Sequence, residues 1–237
     1  MNKVALITGA SRGLGKTIAG FLAAQEYDLI LTARGEAALQ ITATELQAVG
    51  GRDYNLGRRV SAITNANWRM PSPRGRLDLL VNNASLLGPS PQPGLANYPL
   101  ETLEQVLAVN LLAPLGLVQA TLPWLKAANG LVVNISSDAA IGGYPGWGGY
   151  GAGKAALDLL SLTLANELRD DGVAVVSVDP GDMRTQMHQE AFPTEDISDR
   201  PLPAVTLPFW AWLLAQQPLA ISGQRFQAQA EVWTIKA

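Results

Sequence analysis

Short apolar runs alternate along this chain with longer segments of helical pattern, and this alternation constrains the fold more than any other feature. It is typical of β-α-β units, which build a parallel sheet covered by helices on both faces. The runs are nearly continuous in apolar residues, as strands buried on both faces should be. The predicted strands are residues 4–8, 29–33, 79–82, 131–136 and 173–178.

Segments of helical pattern lie between and after these strands, at residues 14–25, 36–49, 100–125, 150–169 and 204–215. Right-handed crossovers place such helices on alternate faces of the sheet, so the predicted fold class is α/β with a doubly wound, Rossmann-like parallel sheet. Pro114 predicts a kink or break in the third helix, because proline has no N–H and clashes with the preceding turn. No repeat or long linker divides residues 1–237, so we expect a single domain.

Two segments depart from the pattern. Residues 51–75 show neither a clean strand nor a clean helix, although a third β-α unit is expected there, so we predict an irregular third unit. Residues 181–203 are rich in proline and polar side chains, which predicts a mobile loop at a functional edge of the domain.

Composition excludes several classes of function. The chain has 17 Lys and Arg against 20 Asp and Glu, a net charge of −3, which gives no basic surface for nucleic acid. It has no cysteine and one histidine, His188, so thiolate chemistry and a site of several histidines for a metal are excluded. No apolar run approaches the roughly 20 residues of a membrane helix, and the N-terminus lacks the apolar region of a signal peptide. We therefore expect a cytoplasmic protein with no metal and no membrane partner.

A glycine-rich segment directly follows the first strand and opens the first helix. It reads Thr-Gly-Ala-Ser-Arg-Gly-Leu-Gly from residue 8 to residue 15. Glycines in such a turn let a pyrophosphate approach backbone N–H groups at the positive end of a helix. An ordinary connection can have this composition, but the place between strand and helix favours a dinucleotide site. The predicted contacts are Gly9, Ser11, Arg12, Gly13, Leu14 and Gly15.

The end of the second strand indicates which dinucleotide is bound. NAD sites commonly carry an acidic residue there for the ribose hydroxyls, whereas a 2′-phosphate calls for arginine. The strand ends at Ala33-Arg34, and Arg34 together with Arg12 predicts a guanidinium clamp for the phosphate. The alternatives are two solvated arginines, or Glu36 as a displaced acid. The prediction is therefore NADP(H) in preference to NAD(H).

Tyr150 and Lys154 are four residues apart, so on a helix they share one face. A tyrosine needs about 4 kcal/mol of differential stabilisation of its phenolate to titrate near neutral pH. A cation about 4 Å away supplies energy of that order at an effective dielectric near 20. This spacing is common by chance on helix surfaces, but Ser137 ends a strand 13 residues earlier, where doubly wound proteins bind their ligands.

With these residues in order, the chain resembles the classical short-chain dehydrogenases/reductases. The turn at residues 8–15 fits the TGxxxGxG pattern of the family, residues 82–84 fit its Asn-Asn-Ala motif, and Pro180-Gly181 followed by Thr185 fits a later motif. The catalytic tetrad of the family is fitted by Asn110, Ser137, Tyr150 and Lys154. Residues 146–154 are also similar to sepiapterin reductase, which points to a reductase for a flat or aromatic carbonyl compound.

The resemblance implies hydride transfer between a nicotinamide and a carbonyl/alcohol pair, with Tyr150 as the acid/base. It implies that Ser137 hydrogen-bonds the substrate oxygen, and that Lys154 lowers the pKa of Tyr150 and holds the nicotinamide ribose. Asn110 would bind a water that links Lys154 to solvent. Further cofactor contacts implied are Asn83 and Ala84 at the central strand or adenosine side, Pro180 and Gly181, and Thr185 at the carboxamide. A homodimer or homotetramer is implied as well.

Three features differ from the family pattern. Residues 51–75 lack a third strand ending in an acid beside the adenine, for which Asp53 is a displaced candidate. Ser85 stands where the family usually has glycine, and the C-terminus keeps a possible last strand without the usual closing glycines. The candidate substrate contacts are Ser85, Tyr144, Trp147 and Met183, followed by Leu86, Asp138, Met187 and Phe192.

Two other functions remain open at this point. One is a nucleotide-binding regulatory or scaffold protein that has lost turnover, which the irregular segment 51–75 suggests. The other is a sugar-nucleotide epimerase or dehydratase, which shares the Tyr-x-x-x-Lys spacing but usually spaces its glycines differently. The intact tetrad favours the oxidoreductase.

Overall fold

A parallel sheet in the order β3-β2-β1-β4-β5-β6-β7 forms the centre of the protein. The computed structural model describes residues 2–48, 55–57 and 75–235. The strands are β1 Val4–Thr8, β2 Asp28–Thr32, β3 Asn55–Gly57, β4 Leu79–Asn82, β5 Leu131–Ile135, β6 Ala174–Asp179 and β7 Arg225–Gln227. The chain order reverses direction at β1 and β4, so the predicted doubly wound α/β fold is confirmed.

Helices cover both faces of this sheet. They are α1 Gly13–Ala24, α2 Glu36–Ala48, α3 Leu100–Leu107, α4 Ala113–Ala128, α5 Ala139–Gly142, α6 Gly148–Glu167, α7 Gln186–Ala191, α8 Leu207–Ala215 and α9 Pro218–Ile221. Alternate strand residues face two hydrophobic clusters: Ile7 and Val133 pack in the cluster of α1 and α8, and Leu6 and Val132 in that of α4 and α6. The carboxyl ends of the strands therefore meet at one edge, where the loops carry the predicted site.

The third predicted helix is interrupted as the proline indicated. A π-helical turn, Ala108–Leu112, separates α3 from α4, and Pro114 occupies the first turn of α4. A proline breaks the regular bonding of the preceding helical turn because it has no N–H, and here that turn is the π turn. Such π turns occur often at functional sites, and this one carries Asn110.

Two expectations about irregular segments need correction. Residues 55–57 form β3, which pairs in parallel with β2, so part of the third β-α unit is regular. Residues 49–54 and 58–74 lie outside the described residues, and the predicted role of Asp53 falls there. The segment 181–203 contains helix α7, whose first turn is capped by Thr185 through the His188 N–H.

The expectation that no apolar run is long enough to span a membrane was also wrong. Leu100–Ala128 has 29 residues and contains an 18-residue window with a mean hydropathy of 1.6, so it is long and apolar enough to do so by length and composition. Within the domain, Leu117, Val118 and Leu125 of this segment pack in the hydrophobic cluster beside β1, β4 and β5. A core helix of an α/β domain meets the same criteria.

Candidate active site

A cleft of about 2110 Å³ lies along the carboxyl ends of the strands. A pocket for one small ligand measures about 300–1,000 Å³, so this cleft has room for a dinucleotide and a substrate together. Of the residues predicted to bind the cofactor, all but Gly15 line it: Gly9, Ser11, Arg12, Gly13, Leu14, Arg34, Asn83, Ala84, Pro180, Gly181 and Thr185. Three residues of the predicted tetrad also line the cleft: Ser137, Tyr150 and Lys154.

The glycine turn forms the floor of one end of this cleft. Gly9 and Gly13 have φ of +66° and +53°, in the left-handed region that favours glycine. A Cβ at Gly9 would lie 2.9 Å from Asn83 Nδ2, and a Cβ at Gly15 would lie 2.5 Å from the same atom. Helix α1 therefore approaches the sheet so closely that only glycine fits at Gly15, which explains why this residue packs beneath the cleft instead of lining it.

Asn83 ties the glycine turn to the neighbouring strand. Its Nδ2 donates to the Thr8 carbonyl at 2.8 Å, and the Thr8 hydroxyl accepts from the N–H groups of Asn83 and Ala84 at 2.9 and 2.8 Å. These bonds join the ends of β1 and β4, which are neighbours in the sheet although they are far apart in the sequence. The motif at residues 82–84 thus holds the turn in place.

The two arginines of the predicted phosphate clamp lie along the cleft. Arg12 and Arg34 are both exposed and both line the cleft. The Arg12 guanidinium also donates to the Gln186 side chain, whose Nε2 donates to Glu190 Oε1 at 2.8 Å. Arg12 therefore links the glycine turn to α7, a contact that the sequence did not predict.

Tyr150 and Lys154 lie on α6 at the inner end of the cleft. Lys154 Nζ is 5.5 Å from the centre of the Tyr150 ring and donates to the Ile135 carbonyl at 2.6 Å. Both side chains are buried, with exposed fractions of 7% for Tyr150 and 2% for Lys154. The two residues thus share one helix face at the end of β5, as their spacing predicted.

Burial dominates the titration of both groups. It raises the pKa of Tyr150 to about 12, partly opposed by a side-chain hydrogen bond to Ser85. Burial also lowers the pKa of Lys154 to about 8, partly opposed by the Asp158 carboxylate. Removal from water thus sets the direction of the pKa of Tyr150 here, and the lowering of this pKa implied for Lys154 stays a prediction.

Ser137 and Asn110 complete the tetrad in different ways. Ser137 follows β5, and its Oγ donates to Asp138 Oδ1 at 2.9 Å while it accepts from the Ala139 N–H at 3.1 Å. Asn110 is fully buried and does not line the cleft. Its side chain bonds both backbone groups of Leu86, at 2.8 and 2.9 Å. Asn110 thus holds the loop after β4, and the water-binding role implied for it stays a prediction.

A buried chain of polar side chains fixes α6 against the sheet. Asn82 Nδ2 donates to Asn134 Oδ1 at 2.7 Å, and Asn134 Nδ2 donates to Ser161 Oγ at 2.7 Å. The chain ends at the Leu157 carbonyl, which accepts from Ser161 at 2.6 Å. These bonds fix the position of α6 relative to β4 and β5, and with it the positions of Tyr150 and Lys154.

Aromatic and sulfur-containing side chains surround Tyr150 on the substrate side. The Trp147 ring lies 5.8 Å from both the Tyr150 and the Phe192 rings, and Phe192 lies 4.9 Å from His188. All predicted substrate contacts line the cleft except Leu86: Ser85, Asp138, Tyr144, Trp147, Met183, Met187 and Phe192. Leu87 takes the place of Leu86, whose backbone is bound to Asn110.

Comparison with known proteins agrees with this geometry. The family model described as short chain dehydrogenase matches residues 3–196. The chain belongs to the short-chain dehydrogenase/reductase family. It is 35% identical over 203 residues to the benzil reductase ((S)-benzoin forming) IRC24 of Saccharomyces cerevisiae, covering 80% of this chain and 75% of the relative. It is 36% identical over 204 residues to the sepiapterin reductase of Mus musculus, covering 79% and 77%.

Among solved structures, a short chain dehydrogenase of Shigella flexneri 2a complexed with NADP superimposes with a TM-score of 0.87. The two chains are 31% identical, and the match covers 97% of this short-chain dehydrogenase/reductase and 98% of the other chain. The agreement extends over the whole fold.

The cleft of this short-chain dehydrogenase/reductase fits the nicotinamide dinucleotide that the family binds. Gly9, Gly13 and Leu14 line the cleft at the start of α1, where backbone N–H groups can receive a pyrophosphate. Thr185 lies beside Gly13, where a Cβ would be 3.6 Å from its Cγ2, so the later motif closes over the turn. When bound, such a cofactor donates or accepts the hydride.

Several residues that build this site were not predicted from the sequence. They are Asn134, Ser161, Asp158, Asp179 and Arg225, and all act through contacts between distant segments. Asp158 alone has a local signal, because it lies one helical turn after Lys154. A search for charged residues on the face of Tyr150 and Lys154 would have found it.

Proposed function

We propose that this chain is an NADP(H)-preferring reductase of carbonyl compounds, with Tyr150 as the acid/base. The observation that carries the proposal is the position of Tyr150, buried beside Lys154 at the inner end of a cleft that continues to the glycine turn. A pKa raised to about 12 keeps Tyr150 protonated at neutral pH, as a proton donor to a carbonyl oxygen must be.

Each residue of the tetrad has a separate task in this proposal. Tyr150 donates its proton to the substrate oxygen, and Ser137 orients that oxygen by a hydrogen bond. Lys154, as a cation below pH of about 8, stabilises the phenolate that the proton transfer leaves. Asn110 holds the loop that carries Ser85 beside Tyr150.

Arg34 and Arg12 support the preference for NADP(H). Both guanidinium groups are exposed and line the cleft, Arg12 in the glycine turn and Arg34 just after β2, where a 2′-phosphate calls for arginine. The related Shigella protein was crystallised with NADP, which agrees with this preference. Hydrogen bonds to a charged group contribute about 1.5–3 kcal/mol, so Arg34→Asp should weaken NADPH binding about 10- to 100-fold.

Binding of NADH is the matched control for this substitution. NADH lacks the 2′-phosphate, and the new carboxylate stands where NAD sites commonly carry an acid for the ribose hydroxyls, so NADH should bind Arg34→Asp at least as tightly as the parent. Equal effects on NADPH and NADH would contradict the assignment of Arg34 to the phosphate. Both affinities are measured by fluorescence titration of the parent and the variant.

The aromatic substrate side favours a flat or aryl carbonyl substrate. The Trp147 ring lies within 6 Å of the Tyr150 ring and of the Phe192 ring, and aromatic rings pack favourably against another aromatic ring. The relatives named benzil reductase and sepiapterin reductase act on compounds of this kind by name. Benzil is therefore the first probe, and acetone is the aliphatic comparison.

Turnover is tested by NADPH oxidation with benzil in the parent, Tyr150→Phe and Tyr27→Phe. Both tyrosines are 7% exposed, but Tyr27 lies at the opposite edge of the sheet, so each variant loses one buried hydroxyl. We expect at least a 100-fold loss of kcat for Tyr150→Phe only, since general acid catalysis contributes about 10²–10⁴-fold. A parent that binds NADPH without oxidising it with any carbonyl would favour a regulatory nucleotide-binding protein instead.

We also propose a cytoplasmic homodimer or homotetramer. Leu112 on the π turn and Leu159 and Leu162 on α6 are exposed by 53%, 67% and 46%, which supports burial of this helical surface against a second copy. Light scattering of the purified protein measures the assembly, and a monomer at micromolar concentration would contradict it.

A further inference from the structure

Arg225 contacts three separate parts of the active site, although it lies on the last strand of the sheet. Its Nη2 donates to the Ser137 carbonyl at 2.8 Å and to Asp179 Oδ2 at 3.3 Å. Its Nε donates to Asp158 Oδ2 at 3.0 Å. Ser137 follows β5, Asp179 ends β6 and Asp158 lies on α6, so one guanidinium joins three elements.

Each partner is adjacent to a residue of the proposed chemistry. The Ser137 carbonyl belongs to the residue that would orient the substrate oxygen. Asp179 accepts from the Gly181 N–H at 3.0 Å, which fixes the turn of the cofactor motif. Asp158 is one turn from Lys154 on the same helix and raises the pKa of that lysine.

The chemistry of arginine suits this position better than that of lysine. A guanidinium presents five donors in a rigid planar fork, whereas an ammonium is one point charge on a flexible stem. Two carboxylates meet here, and the side chains of Asp158 and Asp179 are only 17% and 5% exposed. Without a cation between them, the two carboxylates would repel each other and separate the elements that carry them.

We propose that Arg225 is a positioning residue of the active site, which holds the Ser137 loop and the Gly181 turn at a fixed separation. The proposal rests on the proposed function only where it assigns tasks to Ser137 and Gly181. Arg225 does not line the cleft, so it acts through these two segments.

The first test needs neither cofactor nor substrate. Amide hydrogen exchange is measured in the parent, in Arg225→Met and in Arg225→Lys, at Ala139 and Gly181 and at the central strand residue Val132. We expect exchange in Arg225→Met to rise at least tenfold at Ala139 and Gly181 and to change less than threefold at Val132. Arg225→Lys keeps the charge between the aspartates, so its exchange rates at Ala139 and Gly181 should lie between those of the parent and those of Arg225→Met.

Two results of this test would overturn the proposal. One is unchanged exchange at Ala139 and Gly181. The other is an equal rise at all three positions, because that result would mean that Arg225 stabilises the whole domain and no particular loop. If Arg225→Met does not fold, the Arg225→Lys variant decides by the same comparison.

The second test is a double-mutant cycle with Ser137→Ala, measured by NADPH oxidation with benzil. Displacement of a positioned group by about 1 Å can lower a rate about 100-fold, so we expect Arg225→Met to lower kcat 10- to 100-fold in the parent. In the Ser137→Ala background the same change should lower kcat by a clearly smaller factor than in the parent, because only the Gly181 turn is then left for Arg225 to position. Multiplicative losses would contradict the proposal.

Lys126→Met is the matched control for both tests. Lys126 forms an ion pair with Asp171 at 2.7 Å, about 40% exposed on each side, at the opposite edge of the sheet. Loss of this pair should leave exchange at Ala139 and Gly181 and the kcat unchanged. If the parent itself does not turn over benzil or another carbonyl, the proposed function fails while the exchange measurement still decides the role of Arg225.

Discussion

Replacement of Lys154 by methionine measures how strongly the protein opposes the charge of this lysine. Lys154 is 2% exposed, and burial lowers its pKa from 10.5 to about 8. One pKa unit corresponds to about 1.4 kcal/mol, so this lowering corresponds to about 3 kcal/mol. Below pH of about 8 the folded protein holds this charge away from water, which lowers the free energy of unfolding. In the unfolded chain the charge is hydrated and carries no such cost.

The sign of the pH dependence follows from proton counting. Between pH of about 8 and 10.5 the unfolded chain holds the proton of Lys154, whereas the folded protein has released it. The free energy of unfolding therefore rises with pH across this window. Relative to Lys154→Met, the parent should gain about 3 kcal/mol between pH 7.5 and pH 10.5. Tyr150, with a pKa of about 12, titrates above the window.

Urea unfolding of both proteins at four pH values, at one fixed protein concentration, gives this difference. Methionine also removes the bond to the Ile135 carbonyl, but that loss is a constant offset in the difference. Lys126→Met, which removes an exposed lysine, should differ little from the parent at every pH. A Lys154→Met difference that stays constant within about 0.5 kcal/mol would refute the argument that burial sets the pKa of Lys154.

Three other substitutions test separate parts of the site. Gly15→Ala places a Cβ 2.5 Å from Asn83 Nδ2 and should cost about 1–3 kcal/mol of stability by urea unfolding, with weaker NADPH binding by fluorescence titration. Ser85→Ala removes the hydrogen bond that lowers the pKa of Tyr150, so the rise of alcohol oxidation with pH should move to higher pH, while Ser85→Thr should leave it in place. Asn134→Ala leaves two buried partners without their bonds and should lower the free energy of unfolding by about 2–4 kcal/mol.

The parts of the site that could be predicted from the sequence are those with a local pattern. The glycine turn is recognisable because Gly9 and Gly13 need φ values that other residues avoid, and these needs fall within one short segment. Tyr150 and Lys154 are recognisable because the helical repeat brings residues four apart to one face. The strands are recognisable because both of their faces are buried, which leaves a continuous apolar run.

The remaining features depend on contacts between segments that are distant in the sequence. Arg225 lies 88 residues from Ser137, and nothing near either residue indicates the bond between them. Asn134 sits in an apolar strand, where its polar side chain has meaning only beside Asn82 and Ser161. Such bonds follow from the order of the strands, which a local pattern does not contain.

The pKa values of Tyr150 and Lys154 could not be predicted from their spacing in the sequence. The distance between Tyr150 and Lys154 is as the helix requires, yet burial raises the pKa of one to about 12 and lowers that of the other to about 8. Ionising Tyr150 at pH 7 in this state therefore requires about 7 kcal/mol. The Ser85 hydrogen bond is already included in that pKa, so alcohol oxidation would need the energy from Ser137 and a bound cofactor before Tyr150 acts as a base. Carbonyl reduction needs none of it at the start, because the proton is already on the phenol.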